Sequence, residues 1–483
     1  MGGFFIKSDK KRKGIIILFK SKTDKNLIND SFTILLYVIP LVFYLFFAFF
    51  DGVVWCVDSD SYVIMHECRE PLYPTFLALL RGLFGVQNDS YLFAAVIIQS
   101  LLAAIAASVL TDFIRKICGL GRLISLVILS VPLFTSLLNR FVASRGSMYS
   151  NSILTEGLTI SLFLLFMRFC IGYIVTGKNS DLINGSIIAI IGILTRKQMY
   201  IMLLLLVISV VWSKLSHRKG SVRGVALYII RDLVITIGII LAFSVLCDNI
   251  YNKIVHGSFH IHTEDNRFVS TMAFYAAKRE YVEYIPEEYK DLFLEIYDIC
   301  DSNGWVMKYS PDNWYDATSH FGDNYDHIQL DTMELIMTKH HDEWNMSNMS
   351  YTEKLDVVRS EFNKALIPHE IPELSKVIFN NFLEGLVNTV AQKRRILCLY
   401  TAVIYPVYAA LLIYLIKKRD KNDPKRTNAL IVSCMSLIAV LINVTIVSMV
   451  IFPQTRYTIY GMPLFYISIL VMINEFSNKR DID

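Results

Sequence analysis

Long apolar runs are the feature that most restricts what this chain can fold into. Several runs of about 18 to 22 residues carry almost no charge, which is enough for a helix to cross a hydrocarbon core of about 30 Å. Backbone groups in such a core find no water to bond, so each run is expected to be an α-helix. Over the whole chain 54% of residues are hydrophobic and only 19% are charged, whereas soluble domains carry about 25% charged residues. The sequence therefore predicts a polytopic α-helical membrane protein.

About ten runs are candidates for transmembrane helices. The first run ends at Phe50-Asp51 without the small residues of a cleavage site, so it is expected to be an anchor and not a signal peptide. The fifth and sixth runs are short and meet at a polar tip, Thr195-Arg196-Lys197-Gln198, where they form either a hairpin or one kinked helix. The predicted spans are residues 32–50, 91–111, 123–138, 153–175, 184–195, 199–213, 228–247, 396–416, 427–451 and 457–474.

Basic residues between the spans predict the orientation of the chain. Cytoplasmic loops of membrane proteins are enriched in Lys and Arg, and the strongly basic loops of this chain all fall on one side only when the number of spans is even. Both termini are then cytoplasmic, and residues 1–31 form a basic cytoplasmic lead. The basic residues that set this orientation are Arg115, Lys116, Arg122, Lys214, Arg218, Lys219, Arg223, Lys417, Lys418, Arg419, Lys421, Lys425, Arg426, Lys479 and Arg480.

Residues 251–392 differ from the rest of the chain in charge and composition. They contain 24 acidic against 11 basic residues, together with Trp305, Trp314 and Trp344. Disordered acidic segments are poor in aromatic residues, so this segment is expected to be a compact, mostly helical subdomain on the extracytoplasmic face. It separates a transmembrane module at 32–250, with about seven helices, from a second module at 393–483, with about three.

The loop that follows the first span, residues 51–90, has the most informative sequence. It contains Asp58-Ser59-Asp60-Ser61-Tyr62 and then Arg69-Glu70-Pro71-Leu72-Tyr73-Pro74. Asp and Ser are common helix N-caps and Pro is common at helix starts, so a solvated loop with capped helices is the ordinary interpretation. Two carboxylates directly outside the first span also fit a catalytic loop.

Polar residues at the ends of other spans are expected at the same level as this loop. A single Arg at such a place is explained by its reaching the interface, but several cations beside carboxylates suit an anionic lipid headgroup. Arg binds phosphate well because its planar guanidinium forms paired hydrogen bonds. The residues concerned are Arg140, Arg145, Asn151, Thr155-Glu156, Arg196-Lys197 and Arg456-Tyr457.

The order and placement of these motifs resemble the GT-C class of membrane glycosyltransferases, which take a sugar from a polyprenyl-phosphate carrier. The acidic element at 58–62 resembles an element that follows the first helix of that class, and the Arg-x-Pro-x-Tyr-Pro element at 69–74 resembles one that precedes its second helix. Thr155-Glu156, Thr195-Arg196 and Arg456-Tyr457 resemble three later elements. The spacing before Arg69 is short, and Lys197 stands where the class often has a proline. The resemblance covers about 300 residues of the membrane portion and leaves out 251–392.

This resemblance implies sugar transfer with inversion at the anomeric carbon. Asp58 is expected to be the general base, and Asp60 an alternative base or an orienting partner. Glu156 would orient an arginine or cap its helix. The residues expected to bind the substrate and the carrier phosphate are Tyr62, Arg69, Arg196, Lys197, Arg456 and Tyr457. A divalent metal bound by Asp58 and Asp60 occurs in some members of the class and stays open; no other cofactor is expected.

The expected partners are a polyprenyl-phosphate-linked sugar donor, an extracytoplasmic acceptor (a lipid, a glycan or another cell-envelope polymer) and the lipid bilayer of a bacterial plasma membrane. No nucleic acid is expected. No Gly-rich phosphate loop is present, so a nucleotide sugar is not expected as donor. A polymerase or ligase of lipid-linked glycans is the first alternative, although it would place its catalytic arginines in an outer loop. A polysaccharide or lipid transporter or flippase is the second alternative, although it would show repeated halves.

Overall fold

The computed structural model describes residues 31–477 except 143–145, 218–221, 265, 345, 347–348 and 419–422. Within these ranges the regular structure is helical, and one parallel bridge joins Val54 to Ser152. The predicted basic lead at 1–31 lies outside the described residues except for Ser31. Also outside them are Arg145, Arg218, Lys219, Arg419, Lys421, Lys479 and Arg480.

The described residues of the first half of the chain form nine α-helices. Two of them, α2 and α3, lie in the loop after the first span, and the others run through the bundle. Their bounds are α1 Ser31–Asp51, α2 Ser59–Val63, α3 Leu72–Phe84, α4 Ser90–Cys118, α5 Arg122–Val142, α6 Glu156–Thr176, α7 Asn179–Thr195, α8 Ile201–Ser216 and α9 Val222–Val255.

In the second half, the residues that the structure describes form ten more α-helices, and the first six of these lie in the acidic segment. Their bounds are α10 Arg267–Ala276, α11 Lys290–Ser302, α12 Trp314–Asp326, α13 Leu335–His340, α14 Tyr351–Leu366, α15 Ile371–Val390, α16 Arg395–Lys417, α17 Pro424–Val450, α18 Thr455–Thr458 and α19 Met462–Ser477. A π-helical stretch, His327–Glu334, leads into α13.

Nine helical segments in the described part of the chain are long and apolar enough to cross a membrane. They coincide with nine of the ten predicted spans, so the prediction of an α-helical membrane protein is confirmed. The predicted span at 184–195 corresponds to α7, which has 17 residues. The helix ends at Thr195. The backbone of the next residue, Arg196, is extended, and a 3-10 turn at Lys197–Tyr200 leads into α8. Because α7 and α8 are separate helices that both pack on α6, this arrangement matches the predicted hairpin and not one kinked helix.

Two spans have little protein around them. In α9 and α16 only 11% of the residues in the most apolar window are buried. Soluble proteins rarely expose apolar faces of this size, whereas the acyl chains of a bilayer would cover them. Side chains on these faces include Ile230, Val234, Ile239, Ile396, Leu399 and Val403.

Helix α6 lies at the centre of the bundle and carries part of the candidate site at its first turn. It packs against α4, α7, α8 and α17, and 72% of its most apolar window is buried. Its first residue, Glu156, is 1% exposed. The segment that begins at Thr455 and includes α18 and α19 is buried to the same extent. The two best-buried spans therefore begin next to the polar residues described below.

The acidic segment has a hydrophobic core of its own, centred on Phe274, Phe293, Phe321 and Phe362. That core continues onto the end of α17 and onto Tyr457. Residue 251, where the acidic segment was predicted to begin, lies inside α9, which continues to Val255. The segment is thus a helical subdomain seated on the end of the bundle at which α18 begins; that this end is extracytoplasmic stays a prediction.

Candidate active site

The loop after α1 is held in place by its contacts with the chain just before α6. The backbone N–H of Val54 donates to Asn151 (2.9 Å), and Ile153 donates back to Val54 (3.0 Å). The buried hydroxyl of Ser59 donates to the Ile153 carbonyl (2.9 Å) and accepts from the N–H of Cys56 (2.8 Å). These bonds fix the start of α2 and therefore the position of the residue before it, Asp58.

The carboxylate of Asp58 lies between two arginines. Its Oδ1 is 3.1 Å from Nη2 of Arg69, and its Oδ2 is 3.0 Å from Nη1 of Arg456. The three side chains are 28%, 24% and 26% exposed. Each carboxylate oxygen thus accepts one charge-assisted hydrogen bond. We call these three residues the Arg–Asp–Arg array.

Neighbouring hydroxyl groups and rings hold the two arginines of the array. Arg69 donates to Oγ of Ser61 (2.8 Å) and to the hydroxyl of Tyr62 (3.3 Å), and it lies 4.6 Å from the centroid of the Tyr62 ring. Arg456 donates to the hydroxyl of Tyr457 (2.6 Å) and lies 4.8 Å from that ring. Such contacts between a cation and an aromatic face are favourable, and they orient both guanidinium groups toward Asp58.

The two arginines also govern the charge of Asp58. Burial alone would raise the pKa of this carboxyl. The positive charges of Arg456 and Arg69 and their hydrogen bonds outweigh that effect, so the pKa of Asp58 lies below its usual range. Asp58 is therefore ionised at neutral pH, but in this arrangement both of its oxygens are engaged and it is a weak proton acceptor.

A second ion pair lies beside the array. Glu156, at the start of α6, is 2.9 Å from Nη1 of Arg196, and these side chains are 1% and 14% exposed. Arg196 also donates to Oγ1 of Thr155 (2.8 Å) and to Gln198 (3.2 Å). Its guanidinium lies 5.4 Å from the centroid of the Tyr457 ring. Tyr457 therefore contacts an arginine of each ion pair and connects the two.

Seven of the nine predicted site residues thus come together: Asp58, Tyr62, Arg69, Glu156, Arg196, Arg456 and Tyr457. Two take other positions. The side chain of Asp60 is exposed and takes no part in the array. Lys197 contributes its backbone, because its N–H donates to Oε1 of Glu70 (2.5 Å).

Arg140 pairs elsewhere. It pairs with Asp51 at the end of α1 and lies over the rings of Phe47 and Phe50, at 5.0 and 5.6 Å. Ser147 donates to the same Asp51 carboxylate (3.0 Å). The cations predicted to lie together are therefore divided, and Arg140 belongs to a separate pair.

Sequence reasoning missed three residues that support the site. The amide of Gln198 donates to Oδ1 of Asn443 (2.9 Å) and to the carbonyl of Tyr457 (2.7 Å). Asn443 donates to the same carbonyl (2.9 Å). Glu70, the third, accepts from the tip between α7 and α8 as described above. A polar Asn inside the apolar run of α17 was the available signal, since polar groups in such runs are costly without partners.

The acidic subdomain reaches the same loop. The N–H of Thr263 donates to the carbonyl of Glu67 (3.1 Å), and the hydroxyl of Thr352 donates to the Glu67 carboxylate. On the other side of the site, Tyr325 packs on Phe452, with ring centroids 4.9 Å apart. The subdomain thus contacts both the loop that carries Arg69 and the segment that leads to Arg456.

Among the described residues, no group of three or more His, Cys, Asp or Glu side chains has a geometry that could hold a metal ion. The metal considered for Asp58 and Asp60 would need both carboxylates. Asp58 instead bonds to two arginines, and the side chain of Asp60 is exposed and takes no part in the array. The residues present do not fit a shared metal site in this arrangement.

Comparison of the chain with models of protein families finds no match, and comparisons with characterised proteins and with solved structures find none either.

Proposed function

We propose that this protein is a membrane glycosyltransferase of the GT-C type. It would move a sugar from a polyprenyl-phosphate carrier to an acceptor on the side of the membrane where the acidic subdomain lies. The observation that carries the proposal is the Arg–Asp–Arg array, in which a carboxylate and two arginines from opposite ends of the chain meet at the end of the bundle. Such a site would offer a base and a phosphate-binding pair, and lipid headgroups would lie at the ends of the spans.

In the proposed reaction, an acceptor hydroxyl attacks the anomeric carbon of the donor sugar. A bond forms between the acceptor oxygen and that carbon, and the bond from the carbon to the carrier phosphate breaks with inversion. The electron pair leaves on the phosphate, where Arg69 and Arg456 would stabilise the growing charge. Asp58 would accept the hydroxyl proton, a contribution of about 10² to 10⁴ in rate.

Glu156 and Arg196 would act as positioning residues in this scheme. Glu156 is almost fully buried, so its charge needs the partner that Arg196 provides. Arg196 in turn lies over the Tyr457 ring, and Tyr457 accepts from Arg456. Loss of the Glu156–Arg196 pair would therefore disturb Tyr457 and, through it, the position of Arg456 in the array.

A polymerase or ligase would need arginines of the acidic subdomain in the site. The subdomain places them elsewhere: Arg279 pairs with Asp298 at the surface (2.8 Å), while Arg267 and Arg359 both lie near Glu334, at 3.3 and 3.5 Å. Arg359 is 1% exposed. The geometry therefore favours the transferase, whose arginines lie outside the acidic subdomain.

The direct test is consumption of a donor by the purified protein. The protein in lipid nanodiscs is incubated with a panel of radiolabelled polyprenyl-phosphate sugars. Each incubation is run with and without total cell-envelope lipids and glycans as acceptors. We expect one donor to be consumed and the free polyprenyl phosphate to appear in equal amount, and Asp58→Asn protein is the matched control. Consumption of no donor by well-folded protein would contradict the proposal.

A further inference from the structure

The Arg–Asp–Arg array has the form of an anion site that the protein itself occupies. Arg69 and Arg456 each direct one Nη atom at one oxygen of Asp58, at 3.1 and 3.0 Å. A carboxylate has one negative charge shared by two oxygens. The phosphate of a sugar phosphodiester likewise has one negative charge on two non-bridging oxygens. The Asp58 carboxylate therefore presents to the two arginines what a donor phosphate would present.

Arg456 has a further donor available. Its Nε is buried and makes no hydrogen bond within the part of the chain that the structure describes. A buried donor of this kind carries a desolvation cost. Asp58 has only two oxygens, and both are already engaged. The tetrahedral phosphate of the donor spreads its oxygens over a larger volume than the planar carboxylate does, and it could offer this Nε an acceptor that Asp58 does not.

We propose that the donor phosphate binds by displacing the Asp58 carboxylate from Arg69 and Arg456, so that donor binding itself frees Asp58 to act as the base. The inference rests on the proposed function, and it adds the order of events at the site. Before the donor arrives, Asp58 is held as an internal counter-ion. After the donor binds, its phosphate satisfies the arginines, and the carboxylate is left facing the reacting sugar and the acceptor hydroxyl.

The displacement is favourable only because one set of charge-assisted bonds replaces another. A guanidinium at partial exposure cannot pair fully with a carboxylate and a phosphate in the same positions, since both anions would repel each other at contact distance. The arginines therefore exchange the Asp58 carboxylate for the donor phosphate. Removal of the Asp58 carboxylate should therefore strengthen phosphate binding, although Asp58 is a residue of the candidate active site. A simple supporting role for Asp58 predicts the reverse.

The experiment measures binding of farnesyl phosphate, a short polyprenyl phosphate without a sugar, to protein in phosphatidylcholine nanodiscs. We expect Asp58→Asn to bind it about tenfold or more tightly than the unaltered protein, because the neutral amide competes weakly for the arginines. Arg456→Ala should weaken binding by a similar factor. Farnesol, which has no phosphate, should bind equally to all of these proteins.

A double-variant cycle separates displacement from plain repulsion between two anions. If Asp58 competes for Arg456, the gain from Asp58→Asn should be clearly smaller in an Arg456→Ala background, where competition for Arg69 alone remains. A gain that persists in full would overturn displacement. Asp181→Asn is the matched control, because Asp181 also pairs with an arginine, Arg168 (2.5 Å), and that pair lies about 18 Å along α6 from Glu156. It should leave binding unchanged.

The remaining outcomes are also decisive. If Asp58→Asn does not fold, as judged by its thermal unfolding, Asp58→Ser tests the same point. Suppose that Asp58→Asn binds farnesyl phosphate no more tightly than the unaltered protein, while Arg69→Ala and Arg456→Ala bind it more weakly. That result would overturn displacement but would still support a phosphate site at the two arginines. Binding that neither arginine affects would contradict the proposed function as well. Phosphatidylglycerol added to the nanodiscs should not compete with farnesyl phosphate for the site. If it competes equally well, the anion that displaces Asp58 comes from the bilayer and not from the donor.

Discussion

The Asp58 carboxylate accepts a hydrogen bond of 3.0 Å from Arg456, a residue 398 positions later in the chain. This contact joins the loop after the first span to the start of the last one. It depends on the tertiary packing that sets these two segments side by side. The candidate site is therefore a product of the completed fold, and its chemistry can be tested by single substitutions in an otherwise intact bundle.

The first prediction concerns the proposed base. Asp58→Asn keeps the size of the side chain and part of its hydrogen bonding but removes the proton acceptor. Sugar transfer should fall about 10²-fold or more, while expression and thermal unfolding change little because Asp58 is partly exposed. Initial rates with the donor identified in the panel assay provide the measurement.

Asp60→Asn distinguishes the two carboxylates of the loop. The Asp60 side chain is exposed and lies outside the array, so this variant should keep most of its transfer activity. If Asp60→Asn abolishes transfer and Asp58→Asn does not, the base has been assigned two positions too early. If both variants remain fully active, the loop is structural and the proposed mechanism is wrong.

A second prediction separates the buried ion pair from the array. Arg196→Ala leaves Glu156, which is 1% exposed, without its charged partner. Breaking one side of a buried pair costs about 3–5 kcal/mol, so the thermal unfolding temperature in detergent should fall clearly. Arg456→Ala should lower it less, because its partner Asp58 is 28% exposed and can be solvated.

The control for this prediction is the double variant Glu156→Gln/Arg196→Ala. Replacing the buried charge by a neutral amide should restore part of the stability that Arg196→Ala loses. A double variant that is less stable than Arg196→Ala would show that the loss comes from other contacts, such as the hydrogen bonds of Arg196 to Thr155 and Gln198.

How far the sequence could predict this structure depends on the range of the interactions. The length of a span is set by the bilayer, so apolar runs located nine long helices and the short α7. The order of the motifs also predicted that Asp58, Arg69 and Arg456 would lie at one site. The contact of Gln198 with Asn443, 245 positions apart, depends on how helices pack, and no local pattern reports it. The same holds for Arg140. It pairs with Asp51 and not with the site residues because the ends of α1 and α5 are neighbours.

A third prediction tests the orientation of the chain. Asp312 is fully exposed in the acidic subdomain, and Lys418 is exposed at the end of α16. With the basic loops in the cytoplasm, Asp312→Cys should react with a membrane-impermeant maleimide in intact cells, and Lys418→Cys should react only after permeabilisation. The unaltered protein, with its eight native Cys residues, gives the background. The reverse labelling pattern would invert the topology and place the candidate site in the cytoplasm.

The last prediction uses a buried acid of the subdomain. Glu370, which precedes α15, is completely buried, and neither of its carboxylate oxygens has a hydrogen-bond partner among the described residues. Burial raises the pKa of Glu370 to about 8, with a smaller contribution from Glu373, whereas an unfolded Glu has a pKa of about 4.3.

Because the folded state holds the Glu370 proton more tightly than the unfolded state, the stabilising effect of this proton is complete below the unfolded pKa. It is lost as the pH rises through about 8. Thermal unfolding of the purified protein should therefore show lower stability at pH 9 than at pH 5. Glu370→Gln should remove much of that difference, on the order of a few kcal/mol. Glu361→Gln, at a surface Glu paired with Lys364, should not. If Glu370→Gln shows the same loss of stability at pH 9 as the unaltered protein, Glu370 does not bind its proton in the folded state.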